Sequence, residues 1–289
     1  MQQREQEHRL TPIRDMETRR KPVNWDDESD NYNKFVMCEL EDTATYLDLI
    51  GIEPTDTVLD VCCGPGRITM LAAERAASVH AIDLFPKMLD HARANVEARG
   101  LSNVTFQQID WNCVLPGQNV PVHDIVIASR NIAMFDVKKL SALARKTVMV
   151  QIFADAPSIP ALQGVLFSGC ESASGKKLPS PGDDPGHGTG AAPGGETLFG
   201  RAPSPYSDLF TKVYDSGYDP NVRILPERFR KSFATRDEAY AWVCSLRRDL
   251  AEGNETSVAA NADPFITEKN GGVEFCIATT AAIIWWNVR

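Results

Sequence analysis

Residues 58–69, VLDVCCGPGRIT, set an acid, Asp60, near the end of an apolar run. Two adjacent thiols, Cys62 and Cys63, follow, then Gly64 and Gly66 around a proline, and a helix-like pattern begins. Glycines at a strand-to-helix turn remove side chains where the backbone must approach a ligand, and the helix beyond presents its positive end to that ligand. Two further acids follow in step. Asp83 ends the next apolar run, VHAID, 17 residues after Gly66, and Asp110, followed by Trp111, ends a third. A carboxylate at the second strand end can accept hydrogen bonds from both hydroxyls of a ribose. An acid beside an indole suits the edge and face of an adenine. The chemistry these spacings point to is the holding of one nucleoside-bearing molecule. Each acid alone also reads as a strand-end or helix-capping carboxylate; three at consecutive strand ends are harder to place that way.

Beyond the next two strand ends lie the residues that would handle a substrate. SRN follows the fourth strand and offers Arg130 and Asn131; DAP follows the fifth and offers Asp155. Asp155 can serve as a general base or an orienting acceptor, and Arg130 can bind an anionic substrate or a carboxylate. The competing readings are a loop-capping Asp and a surface ion-pairing Arg. Histidine offers less. His80 and His123 lie at strand starts, the wrong edge of the sheet, His91 reads as an exposed helix residue, and His187 falls in a Gly/Pro-rich stretch. Neither paired Cys-x-x-Cys units nor His/Cys clusters are present, so no metal site is expected.

These side chains must be carried by a regular frame, and strand and helix patterns take turns along the chain. Val36, Leu40, Leu47 and Ile50 mark an amphipathic helix that ends before Gly51. Strands are predicted at 57–62, 79–83, 104–110, 123–129 and 147–154, with helices between them. One of these helices has Pro86 in its first turn and ends at Gly100. This order predicts a parallel sheet with helices on both faces, whose ligands sit beyond the carboxyl ends of the strands. Residues 175–205 break the pattern, with 8 Gly and 6 Pro among 31 positions, too little apolar surface to offset ordering entropy, so a flexible insertion is expected. After it, Ser204 and Pro205 open a helix, 223–233 is a strand weakened by Pro226, Thr235 with Glu238 forms a capping box, and 272–289 closes the chain as a long strand. The expected organisation is an N-terminal arm and lid segment at 1–34 and one domain at 35–289.

Composition limits the partners. A net charge of −9 with 24% charged residues works against a footprint on nucleic acid, which needs clustered Lys and Arg, so small molecules are the expected substrates. Seven cysteines without framework spacing read as reduced thiols, and the first 30 residues lack an apolar signal region; the expected compartment is the cytoplasm. No run approaches the ~20 apolar residues of a membrane span. A homodimer is left open.

The quoted motifs resemble those of the class I S-adenosylmethionine-dependent methyltransferases. LDVCCGPG is similar to the first motif of that family, whose acid and glycine turn hold the methionine part of the cofactor, in the form found among ubiquinone and menaquinone biosynthesis enzymes. Cys62 stands where the family most often has its first glycine. AIDLFPKMLDHA resembles the second motif, which would put Asp83 at the ribose, Leu84 beside the adenine and Met88 in the same segment. QIDWN matches the adenine-contact segment through Asp110 and Trp111, and DIVIAS matches the fourth strand, ending at Ser129. The resemblance implies a Rossmann-like α/β fold, doubly wound, with a seven-stranded mainly parallel sheet whose last strand is antiparallel. It also implies S-adenosyl-L-methionine as cofactor. The cofactor set is then Asp60, Cys62, Cys63, Gly64, Gly66, Asp83, Leu84, Met88, Asp110, Trp111 and Ser129, with Trp25 or Tyr32 folding over the cofactor or anchoring the core. Two alternatives remain: a nicotinamide-dependent oxidoreductase, disfavoured because Asp60 would repel a pyrophosphate, and a non-catalytic S-adenosylmethionine-binding protein.

Overall fold

In the computed structural model, residues 24–154, 159–178 and 205–288 are described. The sheet is built on β1 (Thr57–Val61), flanked by β2 (Ser78–Asp83) and then β3 (Val104–Gln108) on one side, and by β4 (His123–Ser129) and β5 (Ala144–Phe153) on the other, all parallel. β8 (Gly272–Asn287) lies antiparallel beside β5, and β6 (Asn221–Phe233) pairs antiparallel with β8, giving the order β3-β2-β1-β4-β5-β8-β6. That path is the expected seven strands. A short eighth, β7 (Ile266–Lys269), pairs with β8 off the path. Its four residues are too few for a period-2 signal in the sequence. Pro226 is accommodated because β6 is the edge strand, where a missing N–H breaks no ladder; its carbonyl accepts from the Tyr46 hydroxyl at 3.3 Å.

Alternation along the central strands divides the apolar residues between two faces. Leu59, Val126, Val148 and Trp286 pack with α5 (Val137–Ala142) and α7 (Pro205–Asp215). Val58, Ile125, Met149 and Ile283 pack with α2 (Leu40–Asp48) and α3 (Arg67–Ala73). Strands so flanked are buried on both sides, which explains their near-continuous apolar runs. The far halves of β6 and β8 outrun the parallel strands and carry a third core with α6 (Ile159–Leu166), α8 (Arg236–Cys244) and α9 (Glu255–Ala262), built on Phe167, Phe229, Val243, Val258 and Phe275. The capping box holds: Thr235 accepts from the Glu238 amide at 3.2 Å, and Glu238 reaches back to the Ala234 amide at 2.9 Å.

The N-terminal end differs from the sequence reading. The helix marked by Val36, Leu40, Leu47 and Ile50 starts earlier, as α1 (Trp25–Val36), and breaks into a 3-10 turn at Met37–Glu39 before α2. Asn24 caps α1 by accepting from the Asp26 amide at 3.3 Å, and Asp26, Asp27 and Glu28 complement the positive helix end. α1 docks on α4 (Pro86–Ala98) through polar contacts. Asp26 accepts from the Lys87 amide at 2.9 Å, Asn95 donates to Asn33 at 2.9 Å, and Asp30 pairs with His91 at 2.8 Å, so His91 is an anchoring residue of the α1–α4 contact and not the free helix residue expected. Residues 179–204, most of the Gly/Pro-rich stretch, lie outside the described residues. Among the described residues no helix is long and apolar enough to cross a membrane.

Candidate active site

The order β3-β2-β1-β4-β5 reverses between β1 and β4, opening a crevice beyond their carboxyl ends. The glycine turn closes β1 at that point. Cys62 takes φ +50°, Gly64 +55° and Gly66 +84°, so the chain winds left-handed three times in five residues. A Cβ at Gly66 would come within 3.1 Å of the Ala92 Cβ and 3.2 Å of its Cα, so this glycine is demanded by the packing of α4 as well as by its own dihedral. A Cβ at Gly64 would meet Tyr32 Cε1 at 3.6 Å. α1 therefore lays an aromatic ring over the turn, with Trp25 edge-on to that ring at 5.1 Å.

Asp83 is tied to this turn by both oxygens. Oδ2 accepts from the Gly64 amide at 2.8 Å and Oδ1 from the Phe85 amide at 2.9 Å. The side chain is buried; burial raises its pKa, and the backbone amides pull the other way. Each oxygen keeps a lone pair for a further donor. Leu84 beside it is 42% exposed, whereas Met88 is buried in the first turn of α4. The thiols flank the turn: Cys63 is buried, and burial first, then the nearby carboxylates of Asp60 and Asp83, raises both.

The other strand-end acids sit less openly than their sequence positions suggest. Asp60 is buried and accepts from the Thr69 hydroxyl at 2.6 Å; burial pushes its pKa up to about 7 against the pull of Thr69 and Arg67. Asp110 caps a 3-10 turn, taking the Asn112 amide at 2.8 Å. That turn swings the Trp111 ring inward, where it is buried in the core with the Lys139 ammonium 4.5 Å above it. The ring expected to offer a face to adenine is thus a core side chain in this structure.

Past β4 and β5 the sequence candidates join residues that sequence reading missed. Ser129 accepts from Arg67 Nη2 at 2.8 Å and donates to Gln151 Oε1 at 2.8 Å. Arg67, buried at the first position of α3, also donates to Thr43 and lies 3.4 Å from Glu39. Arg130, in left-handed conformation, is not the surface cation considered above: its side chain is 6% exposed, it donates through Nη2 to Glu39, and its guanidinium lies 4.9 Å over the Phe153 ring. Its Nη1 stands 3.9 Å from Glu227 Oε2. Glu227, on the edge strand β6, is fully buried and accepts from Gln151 through Oε1. Asn131 staples the crevice shut at its root, donating to the Val61 carbonyl at 2.7 Å and accepting from the Ala133 amide at 3.0 Å. Asp155 lies outside the described residues. Glu227 stands among the charges of NVRILPERFRKSF, so the sequence carries no signal that singles it out, whereas an arginine directly after the glycine turn was the signal for Arg67.

Residues 58–150 match the family model described as a methyltransferase domain. A 62-residue stretch is 42% identical to a 23S rRNA (uracil(1939)-C(5))-methyltransferase of Klebsiella pneumoniae, covering 22% of this chain and 14% of that enzyme. The chain thus spans only a small part of the curated relatives it matches. Among solved structures, a methyltransferase-like protein of Bacillus halodurans C-125 aligns at 15% identity over 86% of this chain and 98% of its own, with a TM-score of 0.47. Magnesium protoporphyrin IX methyltransferase of Synechocystis PCC 6803, solved with bound S-adenosylhomocysteine, aligns at 15% identity over 86% and 81%, with a TM-score of 0.44. Residues 58–150 thus carry a methyltransferase domain.

Proposed function

We propose that the whole protein is an S-adenosylmethionine-dependent methyltransferase acting on a small-molecule acceptor. The observation that carries this reading is the Asp83–glycine-turn unit: a buried carboxylate with two lone pairs to spare, held against a left-handed turn by the Gly64 amide. That donor and acceptor set fits a ribose diol beside an amino acid chain. Asp83 would take the ribose hydroxyls, Leu84 would lie along the adenine with Asp110 at its edge, and Asp60 with the 62–66 turn would hold the methionine end. When bound, the cofactor supplies an electrophilic methyl group on a sulfonium, an already good leaving group. The protein's work is then to orient the acceptor, exclude water and manage a proton.

Tyr32 over Gly64 and the polar docking of α1 on α4 support reading the N-terminal segment through residue 34 as a lid. Polar contacts of this kind re-form with water on opening, so the lid opens at lower cost than an apolar one. The net charge of −9 and the burial of the Arg67–Arg130 group favour a small acceptor over RNA. All seven cysteines are free thiols, in keeping with a cytoplasmic setting. The deciding experiment is calorimetry with S-adenosylhomocysteine and with NAD, followed by a metabolite screen with labelled methyl donor. Binding of the first and not the second, with label entering a small molecule, is the expected result. Tight binding with no transfer to any metabolite would leave a non-catalytic binding protein.

A further inference from the structure

Natural proteins leave few buried polar atoms unpaired, because each costs about 1–3 kcal/mol. Among the described residues, six side-chain atoms are buried without a hydrogen-bond partner: Glu39 Oε1, Arg130 Nε and Nη1, Glu227 Oε2, Thr279 Oγ1, which belongs to the residue paired with Glu227 in the β6–β8 ladder, and Arg247 Nε, which stands apart in an ion pair with Asp249. A purely structural ion cluster would close these bonds on itself. Here they converge beside the glycine turn: Tyr32, which covers Gly64, feels the charges of Arg130, Glu39, Arg67 and Asp83 together.

Resting on the methyl-transfer reading above, we propose that this cluster is the acceptor subsite: it takes a small, net-neutral molecule by a phenolic or enolic hydroxyl, whose proton passes to Glu227 Oε2 while Arg130 Nη1 holds the oxygen. Charge and donor inventory select that class. Two guanidiniums, Arg67 and Arg130, balance two carboxylates, Glu39 and Glu227, all of them at most 6% exposed, so a phosphate or an ammonium would bring an uncompensated buried charge. An ammonium only donates. One hydroxyl both donates to Glu227 Oε2 and accepts from Arg130 Nη1, and so bridges two atoms 3.9 Å apart.

The proton step keeps the site neutral. The acceptor O–H bond breaks, the proton goes to Oε2, and the electron pair stays on the oxygen, which the Arg130 Nη1 donor holds. Burial, and the neighbouring Glu39 carboxyl, push Glu227 up against the pull of Arg130 and Arg67; Tyr46 and Tyr32 are the other titratable groups at the cluster. A carboxylate raised in this way is closer in strength to a phenol or enol than to an aliphatic alcohol. Phe229, two residues along the same face of β6 and stacked on Phe35 at 4.3 Å, adds an aromatic wall suited to a planar acceptor.

The test uses the full chain saturated with S-adenosylhomocysteine and the probe 4-nitrophenol, whose absorbance reports its own ionisation. Wild type is expected to bind the probe and to change its ionised fraction between pH 6 and 8; Glu227→Gln and Arg130→Lys are each expected to weaken binding at least tenfold while retaining S-adenosylhomocysteine. With labelled donor, Glu227→Gln is expected to lower kcat about 100-fold, to raise KM for the acceptor in step with the weaker probe binding, and to flatten the pH profile near 7. No probe binding by the wild type, which needs no variant to fold, or equal binding by both variants, overturns the proposal. Failure of wild type to bind S-adenosylhomocysteine is a separate result that overturns the methyl-transfer reading itself.

Discussion

The Gly64 amide donates to Asp83 Oδ2 at 2.8 Å, so the turn that closes β1 is locked to the carboxylate that closes β2. Turn geometry and the Asp83 carboxylate are therefore one unit, and the proposed donor site rests on both. Asp83→Ala should weaken S-adenosylhomocysteine binding by about 1–3 kcal/mol, the scale of a lost charged hydrogen bond. Calorimetry at constant pH checks it, and unchanged affinity would remove the ribose assignment.

Asp60 gives a pH-dependent prediction. Its folded pKa, about 7, is above the ordinary 3.8, so its protonated form stabilises the fold fully below about pH 3.8, and that contribution disappears as pH rises toward 7. Asp60→Asn keeps an acceptor for Thr69 and removes the buried charge. The variant should melt higher than wild type at pH 8 by a margin on the order of a few kcal/mol, with the margin shrinking at pH 5. It should at the same time bind the cofactor more weakly, a stability–function trade. Melting curves at the two pH values, paired with calorimetry, read both effects.

Tyr32 and Trp25 supply an optical reporter. With rings 5.1 Å apart over the glycine turn, they must rearrange if the cofactor enters beneath α1. Indole fluorescence should change on S-adenosylhomocysteine binding, and Tyr32→Ala should speed dissociation several-fold through the loss of about 1 kcal/mol of aromatic contact. Stopped-flow fluorescence measures it; an unchanged off-rate would argue against the lid.

Gly66 and Gly117 separate dihedral strain from collision. Both have positive φ, +84° and +71°, but a Cβ on Gly66 strikes Ala92 at 3.1 Å while one on Gly117 finds only Val122 Cγ2 at 3.9 Å. Gly117→Ala should cost about 1–2 kcal/mol in urea unfolding. Gly66→Ala should cost about 1–3 kcal/mol more.

What sequence could show followed from how local each signal was. The central strands, Asp60, Asp83, Asp110 and the glycine turn are encoded in short windows of apolar run and punctuation, and each sits near the strand end assigned to it. The Trp111 ring escaped because a three-residue 3-10 turn decides which way it points, and no periodicity records that. The Arg130 cluster escaped for a different reason. Glu39 and Arg130 are 91 positions apart and Gln151 and Glu227 are 76, so only the assembled sheet brings them together. α9 and β7 lie in the chain between the long β6 and β8 strands and had no motif of their own to announce them.

The placement of Glu227 on the edge strand separates inheritance of the two ligands. Everything proposed to grip the methyl donor is written before residue 130, while the last carboxylate of the charged cluster arrives from the outermost ribbon of the sheet, across an antiparallel partner. Exchanging that ribbon between homologous scaffolds would retune which alcohol is accepted and leave donor handling untouched, a route by which one ancestral frame diversifies its clientele.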